Sequence, residues 1–192
     1  MAPLGSNADV LTETTIPPWL DVFSGTPNIT LQLLFAGQPP ISQHSNNGLL
    51  LTIAQTSAQP AVFLSGSSLE AASFYTLLTL DPDAFSPSTP MLKNVVHWII
   101  SNIPGSISST QDAAQVGEIA LRYLEPRPPT VFPPPYGIHR YYNLLFKQAH
   151  KHENSPNITT PLPSNFNTRD FIRTYGLEYP IGGTIYKVDV DS

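Results

Sequence analysis

Phe74-Tyr75-Thr76-Leu77-Leu78-Thr79-Leu80-Asp81-Pro82-Asp83-Ala84-Phe85-Ser86 reads as a β-strand that runs into a turn. Aromatic, β-branched and leucine side chains from Phe74 to Leu80 suit a buried, pleated surface. Pro82 ends the run, because proline lacks the backbone donor that a ladder needs, and the flanking aspartates favour a turn. The same alternation of short run and turn recurs outward in both directions. β-like runs are Ile29 to Phe35, Ala61 to Leu64, Val95 to Ser101, Arg140 to Phe146 and Thr184 to Val188. Clusters of Pro, Gly, Ser and Asn separate them. The chain holds 21 prolines, and six of the ten residues from Pro126 to Pro135 are proline, which predicts a stiff, extended loop.

Helix signals are few. Asn167 to Tyr175 has a capping residue at Asn167 or Thr168, Asp170 in the first turn, and Phe171 and Tyr175 on one face. Gly176 supplies a left-handed stop. Ser109 to Tyr123 offers a second, weaker pattern. Strands at this spacing with so few helices predict a mostly β chain, an antiparallel sandwich with a few short peripheral helices. The length fits a single domain over residues 1–192, with 1–14 as a flexible N-terminal segment.

Composition excludes several functions. The net charge is -5 and no basic run exists, which argues against nucleic acid as a partner. No apolar stretch approaches the ~18 residues of a membrane span. Met1 to Val10 lacks the charged-then-apolar pattern of a signal peptide, and secretion of a longer precursor stays compatible with the sequence. Without cysteine the chain has neither disulfides nor a thiol nucleophile. No serine sits in a nucleophile elbow. Asn28-Ile29-Thr30 and Asn157-Ile158-Thr159 match the glycosylation triplet, a pattern that also arises by chance. His44, His150 and His152 lie among polar residues and read as solvated.

Three segments carry candidate chemistry. In the first, Asp81 ends a strand, placed to orient a ligand or a histidine; the alternative is an aspartate bonding to its own turn. In the second, Val95-Val96-His97-Trp98-Ile99-Ile100-Ser101-Asn102-Ile103-Pro104-Gly105, a histidine interrupts an apolar strand. Strict alternation sets His97, Ile99 and Ser101 on one face and Val96, Trp98 and Ile100 on the other. His97 is either a site residue or a hydrogen-bonded core residue. In the third, Gly137-Ile138-His139-Arg140-Tyr141-Tyr142-Asn143, His139 and Tyr141 share a face. Arg140 points away from them, with Asp83 as the acid it would pair with. The histidines match no common metal spacing, and neither a metal nor a cofactor is expected.

A DPDAPS-like turn, a strand containing HW with a SNIPG-like end, and GxHRY opening another strand together resemble the phosphatidylethanolamine-binding protein (PEBP) family. Ile16-Pro17-Pro18 with Val22-Phe23, Tyr75-Thr76-Leu77, Asn165 to Leu177 and Pro180-Ile181-Gly182-Gly183-Thr184-Ile185-Tyr186 extend the resemblance over nearly the whole chain. Its flavour is that of the fungal branch. The resemblance implies a PEBP-like sandwich with a small pocket for phosphate, phosphoryl headgroups or small carboxylates. Asp81, His97, His139 and Tyr141 hold the matching positions. Imidazoles and a phenol can donate to anionic oxygens, and Asp81 can fix a histidine tautomer and raise its pKa.

The sequence departs from the family pattern in three places. Phe85 replaces the proline of DPDAP, so the Ala84–Phe85 bond is expected to be trans, since cis costs about 2.5–4 kcal/mol before a non-proline residue. The loop before GxHRY, normally glycine-rich, is filled with prolines that cannot donate to an anion. Arg127 there is either a replacement clamp for carboxylate or phosphate, or a solvated loop arginine. The chain ends at Asp191-Ser192, without the longer C-terminal helix of the animal branch, and Phe85, Phe132 and Tyr136 are candidates to wall the site.

Three functions follow. The protein is a binding module for a small anionic ligand, with Asp81, His97, His139, Tyr141, Arg127 and Phe85 at the site. Alternatively it is a biosynthetic enzyme coupling maleic-anhydride-type monomers into maleidrides, a cyclase of secondary metabolism. His97, His139 and Asp81 would then carry acid/base catalysis. The third is an inhibitor of serine carboxypeptidases or another protein regulator, which needs a protein partner.

Overall fold

The computed structural model describes residues 29–42, 48–88, 90, 92, 94–127, 134–156, 164 and 166–191. The 1–14 segment, the 16–18 and 22–23 resemblance, Asn28, His44, the 128–133 prolines with Phe132, the 157–159 triplet and Asn165 lie outside them. Nine strands are described: β1 (Thr30–Leu34), β2 (Ile41–Ser42), β3 (Leu49–Thr52), β4 (Ala61–Ser65), β5 (Phe74–Asp81), β6 (Val95–Pro104), β7 (Glu118–Leu121), β8 (Ile138–Gln148) and β9 (Leu177–Asp189). Two helices accompany them, α1 (Ala113–Val116) and α2 (Thr168–Thr174), with a 3-10 turn at Ala54–Thr56.

The strands form a three-stranded sheet, β2-β1-β4, and a six-stranded sheet, β3-β9-β8-β5-β6-β7. All pairings are antiparallel except β3 with β9, which run parallel. The small sheet shows plain alternation: Leu31, Leu33, Val62 and Leu64 are buried, whereas Thr30 and Leu34 face out. It packs against the large sheet through an inner cluster that adds Tyr75, Leu77, Trp98, Ile100, Tyr141, Leu145, Tyr186 and Val188. The other face of the large sheet carries an outer cluster of Leu78, Leu80, Val96, Ile99, Tyr142, Leu144 and Phe146, covered by Phe171 and Ile172 of α2. Strands β5, β6 and β8 are therefore buried on both faces, and their sequences read as nearly continuous apolar runs.

α2 forms as its caps predict. The Asn167 side chain accepts from the Asp170 amide at 3.1 Å, and Gly176 has φ +55°. The Ser109 to Tyr123 segment contains a short helix, as its pattern suggested. It gives one helical turn, α1, capped by Asp112, and then the edge strand β7. Asp112 Oδ1 accepts from both the Ala114 and Val62 amides, which ties this turn to β4.

Strict alternation fails on β6. Thr79 faces Trp98 and Leu80 faces Val96, so His97 is the extra residue of a β-bulge. The bulge changes the phase of the strand: Val96 joins Ile99 in the outer cluster, while Trp98 and Ile100 belong to the inner one. The His97 ring stands nearly perpendicular to that of Tyr141 of the inner cluster, with ring centroids 5.0 Å apart.

Candidate functional site

Antiparallel pairing brings the end of β5 beside the starts of β6 and β8. Asp81 is the last residue of β5, His97 the third of β6, and His139 and Tyr141 the second and fourth of β8. All four are buried, and His97, at 6%, is the most exposed of them. The sequence-predicted set thus converges on one polar cluster facing the inner core.

Asp81 serves both purposes that its sequence allowed. Oδ1 accepts from the Asp83 amide at 2.7 Å and closes the turn. Oδ2 lies 2.8 Å from His139 Nδ1 and 3.9 Å from His97 Nε2. His139 Nε2 lies 3.0 Å from the Phe85 carbonyl. Burial disfavours a charged His139, but its hydrogen bond to Asp81, the charges of Asp81 and Asp83, and the Phe85 carbonyl outweigh this and raise its pKa above the ordinary histidine value. In His97 burial wins: its pKa is lowered despite Asp81 and the Leu124 carbonyl, and His139 adds to the lowering. Asp81 therefore favours the charged form of His139, whereas in His97 burial outweighs it.

His97 is held from behind. Its Nδ1 lies 2.8 Å from the Leu124 carbonyl, and its own carbonyl accepts from the Leu124 amide at 2.7 Å. The Tyr141 ring stacks on Tyr186, centroids 5.1 Å apart and 9° from parallel. Burial and then Asp81 push the Tyr141 phenol well above its usual range, so it stays a neutral donor.

Asp83 and Arg140 form the expected pair. Arg140 Nε and Nη2 each donate at 2.9 Å to the two oxygens of Asp83, and the Arg140 amide adds a third bond at 2.9 Å. The pair pins the turn after β5 to the start of β8 and so sets the spacing between Asp81 and His139.

The remaining site residues fall differently. Ala84–Phe85 is cis, contrary to expectation. The expectation counted only the intrinsic cost of the bond. The turn also engages the carbonyls on either side, Ala84 O accepting from the Leu92 amide at 3.0 Å and Phe85 O facing His139. The Phe85 side chain is half-buried. Arg127 has a side chain 63% exposed, and its Nε pairs with Glu125 at 3.0 Å. Tyr136 packs against the inner cluster. The Tyr136 and Gly137 amides are both taken by the Asp191 carboxylate, at 2.9 and 2.7 Å.

A second buried polar network was missed in the sequence. His152, expected to be solvated, is buried: Nε2 lies 2.7 Å from the Tyr175 carbonyl and Nδ1 lies 3.0 Å from the Ser101 hydroxyl. Asn102, at φ +54°, bonds the His152 main chain on both sides, at 2.9 Å each, and takes a further bond from Gln148 Nε2. Gln148 Oε1 accepts from Thr76 and the Asn102 amide. The signal was available: Ser101, Asn102 and Gln148 are polar residues inside otherwise apolar strands, and buried polar groups need partners. His150 is exposed, as expected.

Among the described residues no group of three or more His, Cys, Asp or Glu side chains is placed to hold a metal ion, and no helix is long and apolar enough to cross a membrane.

Residues 26–186 match the family model described as phosphatidylethanolamine-binding protein. Protein TERMINAL FLOWER 1 of Arabidopsis thaliana is 37% identical over 141 residues, 73% of this chain and 71% of that protein. Protein FLOWERING LOCUS T of the same plant is 33% identical over 176 residues, 90% of this chain and 86% of its own length. The fold is also that of the phosphatidylethanolamine-binding protein from Plasmodium vivax, with TM-score 0.63 and 19% identity over 87% of this chain and 91% of that one. The chain belongs to the phosphatidylethanolamine-binding protein family.

Proposed function

We propose that this family member is a binding module whose Asp81–His97–His139–Tyr141 cluster receives one small anionic group, a phosphate or a carboxylate. One observation carries the reading. His97 Nε2 lies 3.9 Å from Asp81, beyond hydrogen-bonding distance, whereas the other ring nitrogens of the cluster are within 3.0 Å of an acceptor. His97 is thus the group with which a ligand oxygen would bond. Asp81 favours the charged form of His139 beside it, and the neutral Tyr141 phenol is a further donor.

The coupling of maleic-anhydride-type monomers into maleidrides is a second reading, favoured by the open Nε2 of His97 and by the lowering of its pKa on burial. An imidazole with a free nitrogen can take a proton next to a carbonyl. His139, with both nitrogens engaged, would contribute charge and not a second proton relay. Arg127 joins either site only by leaving Glu125.

Calorimetric titration near neutral pH separates the two, with phosphate or phosphoethanolamine as one ligand and a hydrophobic maleate-type dicarboxylate as the other. Binding of the phosphoryl ligand that His97→Ala abolishes supports the binding module. Binding of the dicarboxylate alone, with turnover, supports the enzyme. No binding of either overturns both.

A further inference from the structure

The hydrogen atoms of the cluster follow from its acceptors. His139 Nδ1 faces a carboxylate and Nε2 faces a carbonyl, at 2.8 and 3.0 Å. Neither partner can donate, so both ring nitrogens carry hydrogen and His139 is a cation whose charge balances Asp81. His97 Nδ1 faces the Leu124 carbonyl, which also only accepts. In neutral His97 the hydrogen therefore sits on Nδ1, and Nε2 presents a lone pair.

The other groups around His97 do not change this balance. Asp81 of β5 lies 3.9 Å from Nε2. From β8, the Tyr141 ring lies nearly perpendicular to that of His97, with Tyr186 of β9 stacked on Tyr141, and burial keeps both phenols neutral. Glu125 and Arg127, which follow Leu124, pair with each other. The cluster carries no net positive charge, and its open nitrogen is an acceptor. A fully ionised anion placed there would meet a lone pair and a carboxylate.

We propose that an anionic group enters this site together with one proton, either carried on the ligand as an acid O–H or taken up from solvent at His97 Nε2. The inference rests on the anion-binding reading of the same cluster. In either form the hydrogen ends between a ligand oxygen and Nε2, and no other bond is made or broken. His139 keeps both of its hydrogens throughout. Burial that disfavours a charged His97 in the free protein makes proton uptake depend on the anion's arrival.

Sulfate tests this directly, because it carries no proton across the range of about pH 5 to 8 where histidine titrates. Titration calorimetry on the full chain, in buffers of different ionisation enthalpy, counts the protons. The expected result is uptake of about one proton per sulfate, with affinity falling about tenfold per pH unit above the His97 pKa. His97→Gln, whose amide is a permanent donor, is expected to bind without proton uptake and with a flat pH profile. Sulfate binding to the wild type without proton uptake overturns the inference and leaves the anion-binding reading standing. Failure of sulfate, phosphate and the dicarboxylate to bind at any pH overturns both.

Discussion

His97 and Leu124 hold each other twice, the Leu124 amide donating to the His97 carbonyl at 2.7 Å and His97 Nδ1 donating to the Leu124 carbonyl at 2.8 Å. This reciprocal pair sits at a bulge, where His97 has no partner on β5. The bulge turns the ring toward Tyr141, and the Leu124 carbonyl then decides which nitrogen remains open.

The two histidines have opposite linkage to stability. Folded His97 has a lowered pKa, so the unfolded chain binds more protons as pH falls below about 6.5. Its contribution is full above that value and is lost as pH falls through the folded pKa. Folded His139 has a raised pKa, so its contribution is full below about 6.5 and is lost as pH rises through the folded value. Urea unfolding at several pH values is expected to show the wild-type advantage over His97→Gln shrinking toward acid. The advantage over His139→Gln is expected to shrink toward alkali. Parallel curves would contradict both assignments.

Arg140→Ala leaves the Asp83 carboxylate buried without its fork. The expected loss is about 1–3 kcal/mol, reduced from that of a fully buried pair because the Arg140 side chain is 38% exposed. Arg140→Lys keeps the charge but not the two-point geometry, and is expected to recover only part of the loss. Equal stability of all three proteins by urea denaturation would show that the pair does not hold the turn.

Gln148→Ala removes the acceptor for Thr76 and the Asn102 amide and the donor to Asn102 and the His150 carbonyl. Several buried groups then lack partners, and the expected cost is about 2–4 kcal/mol. Hydrogen exchange at the His152 amide, which donates to Asn102, is expected to accelerate. Unchanged exchange there would mean that the network does not anchor the segment after β8.

Gly105 is required by space. A Cβ at this position would stand 2.0 Å from the Glu70 carbonyl oxygen and 2.9 Å from the Tyr75 ring. Both neighbours are fixed, since Tyr75 is buried and its hydroxyl accepts from the Glu70 amide. Gly105→Ala is expected to cost at least about 3 kcal/mol by thermal or urea unfolding. A loss below about 1 kcal/mol would mean that the turn closed by the Ser73 amide on the Glu70 carbonyl moves freely.

Much of this was legible in the sequence because the physics is local. Apolar runs ended by proline marked β5 and β6, Asn167 and Gly176 bounded α2, and the outward phase of Arg140 pointed to its pair with Asp83, whereas the grouping of Asp81, His97, His139 and Tyr141 came from the resemblance to the family. What was not legible depends on distant partners. Alternation could not foresee the bulge at His97, which reassigns Val96 to the outer cluster. Polar neighbours made His152 look solvated, but Ser101, Asn102 and Tyr175 come from elsewhere to bury it. The backbone cost at Ala84–Phe85 omitted the hydrogen bonds that its two carbonyls make.

The most direct test of the account is a nitrogen-detected NMR titration of the imidazoles with phosphate. The account predicts that His97 Nε2 changes from an unprotonated to a hydrogen-bonded signal as phosphate is added, while both His139 nitrogens stay protonated and unmoved. Movement of the His139 resonances with His97 unaffected would contradict it.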